Sequence, residues 1–171
     1  ELRTGTHSVF SGPQPVVHVA ATVIAEAEYV GAWIATRHAH GIPSHEIALI
    51  VRSSAQIERA RAAAQVANVA FVVLDERLAV KTGHVSILTM HLAKGLEFRS
   101  VAVMACDEGI LPDNSRFFSD DPAELKAIND SERQLLYVAM TRARDELVLS
   151  AAGTSSEYLV DLEAMATRGK L

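Results

Sequence analysis

The sequence predicts an α/β domain: a parallel β-sheet sandwiched between helices. Three observations carry that expectation. Apolar runs of strand length alternate along the chain with segments of helical period. Two of the runs, centred on residues 46–51 and 101–105, are almost unbroken, as strands buried on both faces require. Between the apolar runs 85–88 and 101–105 lies a polar stretch, Thr89-Met90-His91-Leu92-Ala93-Lys94-Gly95-Leu96-Glu97-Phe98, of the kind that occupies the end of a parallel strand, where α/β proteins bind ligands.

Taken in order, residues 1–15 are rich in Gly, Ser, Thr and Pro without a period and read as a loose lead-in, with a single domain expected over 16–171. Residues 16–20 form a short strand. From Ala25 to His40 the positions Ala25, Tyr29, Ala32, Trp33 and Thr36 recur at helical spacing, and Gly41 with Pro43 stops that helix. Residues 46–51 are the next strand. Ser53 or Ser54 then caps a helix running to Ala67, with Ile57, Ala60, Ala64 and Ala67 inward and Arg59 and Arg61 more exposed. Residues 69–74 and 85–88 are strands joined by a short polar connection, and a short helical turn follows Thr89.

Beyond the strand at 101–105, residues 113–122 with Phe117-Phe118 read as a surface loop. A helix is expected from Pro122 to Arg144, interrupted near Asn129, with Leu135, Leu136, Val138 and Ala139 inward; Tyr137 is assigned to the same apolar face. A strand at 146–151 closes the sheet. An amphipathic helix capped by Ser155 or Ser156 carries Leu159, Leu162 and Met165 inward.

The 171 residues suffice for one core, and 49% hydrophobic with 22% charged residues excludes a disordered chain. A net charge of -5 gives no sign of a nucleic-acid partner. The lone Cys106 reads as a buried, inert thiol, suited to a reducing cytoplasm, and no apolar run approaches the roughly 18 residues of a membrane span. His18, His38 and His40 do not share a helix face and read as solvated, so no metal site is expected. A Gly-x-x-x-x-Gly-Lys-Ser/Thr phosphate cradle occurs nowhere; Gly169-Lys170 is followed by Leu171. The chain is therefore not expected to hydrolyse a nucleotide alone.

Within residues 89–98, a hydroxyl, an imidazole, an ammonium, a glycine and a carboxylate come together, a mixture suited to phosphate and sugar at once. Downstream stands Tyr137-Val138-Ala139-Met140-Thr141-Arg142-Ala143. Read by itself its basic end only offsets a helix dipole. In this order the two stretches resemble the fifth and sixth motifs of the UvrD/Rep/PcrA-type superfamily 1 DNA helicases. Residues 46–56 are similar to the opening of that family's second RecA-like motor domain, and the resemblance runs to about residue 151.

The resemblance implies a three-layer RecA-like fold without its own Walker A loop. It also implies a C-terminal motor domain of an ATP-dependent DNA helicase, working with ATP and Mg2+ bound mainly by an N-terminal RecA-like domain of the same polypeptide. Arg142 would be the arginine finger, Glu97 would accept from the nucleotide ribose, and Gly95 would let backbone approach phosphates. Thr89, His91, Arg52 and Ser54 would face single-stranded DNA. From position alone, Arg52 serves equally as a phosphate partner or a surface arginine, and Lys94 serves either ligand or a salt bridge. The family has Asn where Ser54 stands and His where Asp113 stands, so Asp113 is not expected to be a contact. It also inserts a large helical subdomain where this chain has only residues 75–83. That points to a short-form relative or a trimmed piece, monomeric and without a membrane partner. The alternative is a catalytically inert RecA-like scaffolding or DNA-binding module of a nuclease-helicase complex.

Overall fold

The computed structural model describes residues 13–167, so most of the expected lead-in and the Gly169-Lys170 pair lie outside the described residues. Six strands form one sheet: β1 (Val16–Ala20), β2 (Ile47–Val51), β3 (Phe71–Val73), β4 (Val85–Thr89), β5 (Phe98–Met104) and β6 (Ala143–Ala152). Their order is β1-β6-β5-β2-β4-β3 and every pairing in the sheet is parallel. The helices are α1 (Val23–Ala39), α2 (Ile57–Val66), α3 (Pro122–Met140) and α4 (Glu157–Thr167).

Because side chains alternate along a strand, the two faces of the sheet build two cores. Ala48, Ile50, Leu88, Val101, Val103 and Leu149 meet residues of α3 and α4, including Leu136, Ala139 and Leu159, on one face. Ile47, Leu49, Val51, Ile87, Ala102 and Met104 meet α1 and α2 on the other. This is the expected α/β sandwich of three layers. Thr22 Oγ1 accepts from the Ala25 amide at 3.1 Å to cap α1, Asp121 Oδ1 accepts from the Ala123 amide at 2.9 Å to cap α3, and Ser156 Oγ accepts from the Tyr158 amide at 3.1 Å to start α4.

Several expectations are corrected. The buried face of α1 is Glu26, Ala27, Val30, Gly31, Trp33 and Ile34; Ala32 and Thr36 are exposed. A pattern reading puts an acid outside, whereas Glu26 is buried because Arg59 neutralises it. For the same reason Arg59 is not a surface residue. Helix α3 runs unbroken past Asn129, whose side chain accepts from the Tyr158 hydroxyl. It ends at Met140, before Arg144, since β6 begins at Ala143 to pair with Phe98. Tyr137 lies on the solvent side of α3, 62% exposed, so it is not part of the core.

Candidate functional site

The parallel sheet sorts the sequence-predicted residues to two opposite edges. Val51 pairs with Thr89, so Arg52 and Ser54 after β2 lie beside Thr89 and His91 at the C-terminal edge. Phe98 pairs with Ala143 at the N-terminal ends of β5 and β6, which sets Gly95 and Glu97 beside Arg142 at the other edge. The structure thus brings together each trio or quartet but not the two groups with each other. At about 3.3 Å per residue, the length of β5 separates them by roughly 20 Å.

One connector joins the edges. Residues 90–97 leave the C-terminal end of β4 in a 3-10 turn (Met90–Leu92) and cross one face of the sheet to the start of β5. Met90 and Ala93 are buried, and Leu92 and Leu96 pack against the same core. His91, Lys94, Gly95 and Glu97 remain exposed. Gly95 has φ +82, a conformation that L side chains rarely adopt, and a Cβ there would meet nothing within 4 Å, so this backbone faces open space. Lys94 is exposed and forms no ion pair among the described residues.

Arg142 sits in the turn between α3 and β6, half-buried. Its Nε donates to the Val138 carbonyl at 3.0 Å, Nη1 to the Leu96 carbonyl at 3.1 Å and Nη2 to Thr141 Oγ1 at 3.1 Å. The first contact is a helix-end cap, as a residue that merely offsets the helix dipole would make. The second crosses to the connector, one residue before Glu97. All three acceptors are neutral, and no carboxylate pairs with this guanidinium among the described residues. A permanent charge held in place without a counter-ion is available to an anion.

At the C-terminal edge Arg52 is 4% exposed and its side chain pairs two-pronged with Glu132, Nε to Oε2 at 2.7 Å and Nη2 to Oε1 at 2.6 Å. This corrects the surface-arginine alternative. The hydrogen bonds with Glu132 hold the Arg52 guanidinium above its usual pKa. Burial pushes the Glu132 carboxyl up, but hydrogen bonds from Arg52, the Asp113 amide and Arg116 prevail and hold it below the ordinary value. Ser53, whose amide and hydroxyl both donate to Gln56 Oε1 at 3.2 and 2.8 Å, fixes the turn that presents the exposed Ser54.

Sequence reasoning missed Glu132 and Glu26, though a signal was present. Glu132 shares the stripe i, i+4, i+7 with buried Leu136 and Ala139, and Glu26 shares it with Val30 and Trp33. An acid on an apolar stripe announces a buried partner. Cys106 is buried, and loss of solvent pushes its thiol far above the usual range, so it is inert. His18 stacks on Tyr29 and His38 Nε2 lies 3.0 Å from Ser44 Oγ; no group of three or more His, Cys, Asp or Glu suited to a metal occurs among the described residues. A cleft of about 430 Å³ lined by Glu108, Leu111, Phe117, Asn129 and Ser155 opens beyond β5 and β6 and contains none of the sequence-predicted residues.

Residues 73–154 match the sequence model of the UvrD-like helicase C-terminal domain. The chain is 40% identical over 79 residues to the ATP-dependent DNA helicase Rep of Buchnera aphidicola subsp. Schizaphis graminum, covering 46% of this chain and 11% of that protein. It is 44% identical over 77 residues to the ATP-dependent DNA helicase UvrD1 of Mycobacterium leprae, covering 45% of this chain and 9% of that protein. The matched stretches thus span about a tenth of these relatives. A crystal structure of the C-terminal domain of a possible DNA helicase from Lactobacillus plantarum WCFS1 superposes with a TM-score of 0.66 at 26% identity, over 88% of this chain and 81% of that one.

Proposed function

The chain is related to the UvrD/Rep/PcrA-type superfamily 1 DNA helicases through their C-terminal domain, and from that premise we propose that it is the second motor domain of an ATP-dependent DNA helicase or translocase. Its half of a composite ATPase site is Arg142, Gly95 and Glu97. The phosphate cradle and most of the Mg2+ and ATP contacts belong to an N-terminal RecA-like domain of the same polypeptide. Bound Mg2+ and ATP supply the phosphoryl group and its charge neutralisation; the residues here position and recognise. Arg142 meets charge on the phosphoryl group, a role commonly worth about 10³ to 10⁵ in rate. Glu97, exposed beside it, accepts from the ribose, and the open backbone at Gly95 approaches the phosphates.

Single-stranded DNA is the proposed ligand of the other edge, on Thr89, His91 and Ser54, with Arg52 holding their strand-end loop through Glu132. The connector that carries both sets of residues gives nucleotide state and DNA grip a common mechanical element. The observation that carries this reading is the Arg142 guanidinium, clamped beside Glu97 with only neutral acceptors. A DNA ligand would place the protein in the cytoplasm; separately, no helix among the described residues is long and apolar enough to cross a membrane.

The deciding experiment measures ATP hydrolysis by the 171-residue chain alone and by the polypeptide that includes the P-loop domain, with and without oligothymidylate. The chain alone should be inactive and the longer protein DNA-stimulated. Turnover by the chain alone, or none by the longer protein, overturns the proposal.

A further inference from the structure

Glu132 accepts four hydrogen bonds at the C-terminal edge of the sheet. Its side chain is fully buried, Oε1 accepts from Arg52 Nη2 at 2.6 Å and from Arg116 Nη1 at 2.5 Å, and Oε2 accepts from Arg52 Nε at 2.7 Å and from the Asp113 amide at 3.1 Å. Two segments therefore converge on one residue of α3: the loop after β2 and the 113–116 turn. A buried ion pair is a poor device for stability alone, because an apolar replacement of similar volume does as well or better. What such a pair supplies is a fixed geometry between the elements that it joins.

The helix that bears Glu132 ends two residues before Arg142. At about 1.5 Å per residue the two lie roughly 15 Å apart along α3. Nothing between them interrupts the helix, and Leu136 and Ala139 seat it on the core. A close-packed interior is hardly compressible and transmits strain, so a displacement at one end of α3 is felt at the other. At its far end Val138 and Thr141 both hold the Arg142 guanidinium, which in turn holds the Leu96 carbonyl.

We propose that Glu132 is a positioning residue: by gripping Arg52 with both oxygens it ties the DNA-facing loop 52–56 to α3, and so sets Arg142 at the opposite edge of the sheet according to whether DNA is bound. This rests on the DNA and nucleotide assignments above. It adds a second route to the connector 90–97, running on the helix layer and ending at the same arginine.

The test is amide hydrogen exchange on this chain with and without a short oligothymidylate. In the wild-type chain the oligonucleotide should slow exchange at 52–56 and 89–92 and also at 139–143. In Glu132→Gln, at an oligonucleotide concentration that saturates it, the protection at 89–92 should remain and the protection at 139–143 should be lost. Arg52→Lys keeps the charge but replaces the fork with a single ammonium; at an oligonucleotide concentration that saturates protection at 89–92 it too should lose the protection at 139–143, and it decides the matter if Glu132→Gln does not fold. Protection at 52–56 and 89–92 with none at 139–143 in wild type, or with undiminished protection at 139–143 in the variants, overturns the inference and leaves the DNA assignment standing. Absence of protection at 52–56 and 89–92 overturns the DNA assignment and the inference with it.

Discussion

Arg142 grips the Glu97 segment from both sides: its Nη1 donates to the Leu96 carbonyl at 3.1 Å, and its own carbonyl accepts from the Phe98 amide at 2.9 Å. The second bond is backbone and survives substitution; the first does not. In the polypeptide that carries the phosphate-binding half, Arg142→Ala should lower kcat by about 10³ to 10⁵ while nucleotide affinity changes little, because the guanidinium acts on charge that develops during transfer. Arg142→Lys should not restore the rate, since an ammonium cannot reach Leu96, Val138 and Thr141 together and still face a phosphate. Single-turnover hydrolysis beside a nucleotide titration separates the two effects. Equal losses in both would sink the finger assignment.

Arg59 stands between two acids. Its Nε donates to Glu26 Oε2 at 3.0 Å and Nη1 to Asp107 Oδ2 at 2.5 Å, while Glu26 Oε1 accepts from the Ala105 amide at 2.9 Å and Ser150 Oγ at 2.7 Å. Arg59→Ala leaves a fully buried carboxylate and a nearly buried one without their cation, and should cost about 3 to 5 kcal/mol. Arg61→Ala removes an exposed pair with Glu58 on the same helix and should cost about 0.5 kcal/mol or less. Urea denaturation of both variants measures the contrast.

These two arginines show where sequence reading stops. Apolar runs located every strand, though β5 and β6 begin before their runs, at Phe98 and Ala143, and the 3-10 turn after Thr89 and the Ser156 cap of α4 were legible from local chemistry. The partners of Arg52 and Arg59 were not. Glu132 is 80 residues from Arg52 and Glu26 is 33 from Arg59, and the strand order that brings them together is a long-range property. The same holds for the division of the site. Thr89 and Glu97 are close in sequence, yet the crossing of the connector puts them at opposite edges, which no local pattern announces. The pairing of Phe98 with Ala143 does give the two motifs the shared edge that their resemblance implied. Tyr137 failed for a simpler reason: between two inward positions of α3, an aromatic ring was assumed to follow them.

Acid should expose the worth of Glu132. Its folded-state pKa lies below the ordinary 4.5, so its contribution is fully present above that value and is lost as the pH falls through the lower folded value, where the native carboxylate protonates. Arg52, shifted upward from the ordinary guanidinium value, titrates far outside this window and adds no slope there. Thermal melting of wild type and Glu132→Gln should differ most near pH 7 and converge as the pH drops below about 4.5. A gap that persists unchanged into strong acid would show that the pair is held by packing rather than by charge.

The last prediction concerns the layer behind the sheet, where α1 and α2 approach so closely that Gly31 has no room for a side chain. A Cβ there would lie 2.5 Å from Val66 Cγ1, 2.7 Å from Val66 Cβ and 3.0 Å from the Ala63 carbonyl. Two effects oppose each other in Gly31→Ala. Alanine gains about 1 kcal/mol of helix propensity over glycine, whereas overpacking costs about 1 to 3 kcal/mol. The clash is with a Cβ and a backbone carbonyl, neither of which can swing away, so the cost should prevail and the melting temperature should fall. Val66 is 52% exposed, and truncating it alone should cost little. Removing its Cγ atoms relieves the shortest contact, so Gly31→Ala with Val66→Ala should be more stable than Gly31→Ala alone. A double-mutant cycle reads that coupling directly, and a sum of the single effects with no coupling would mean that the helices part rather than collide.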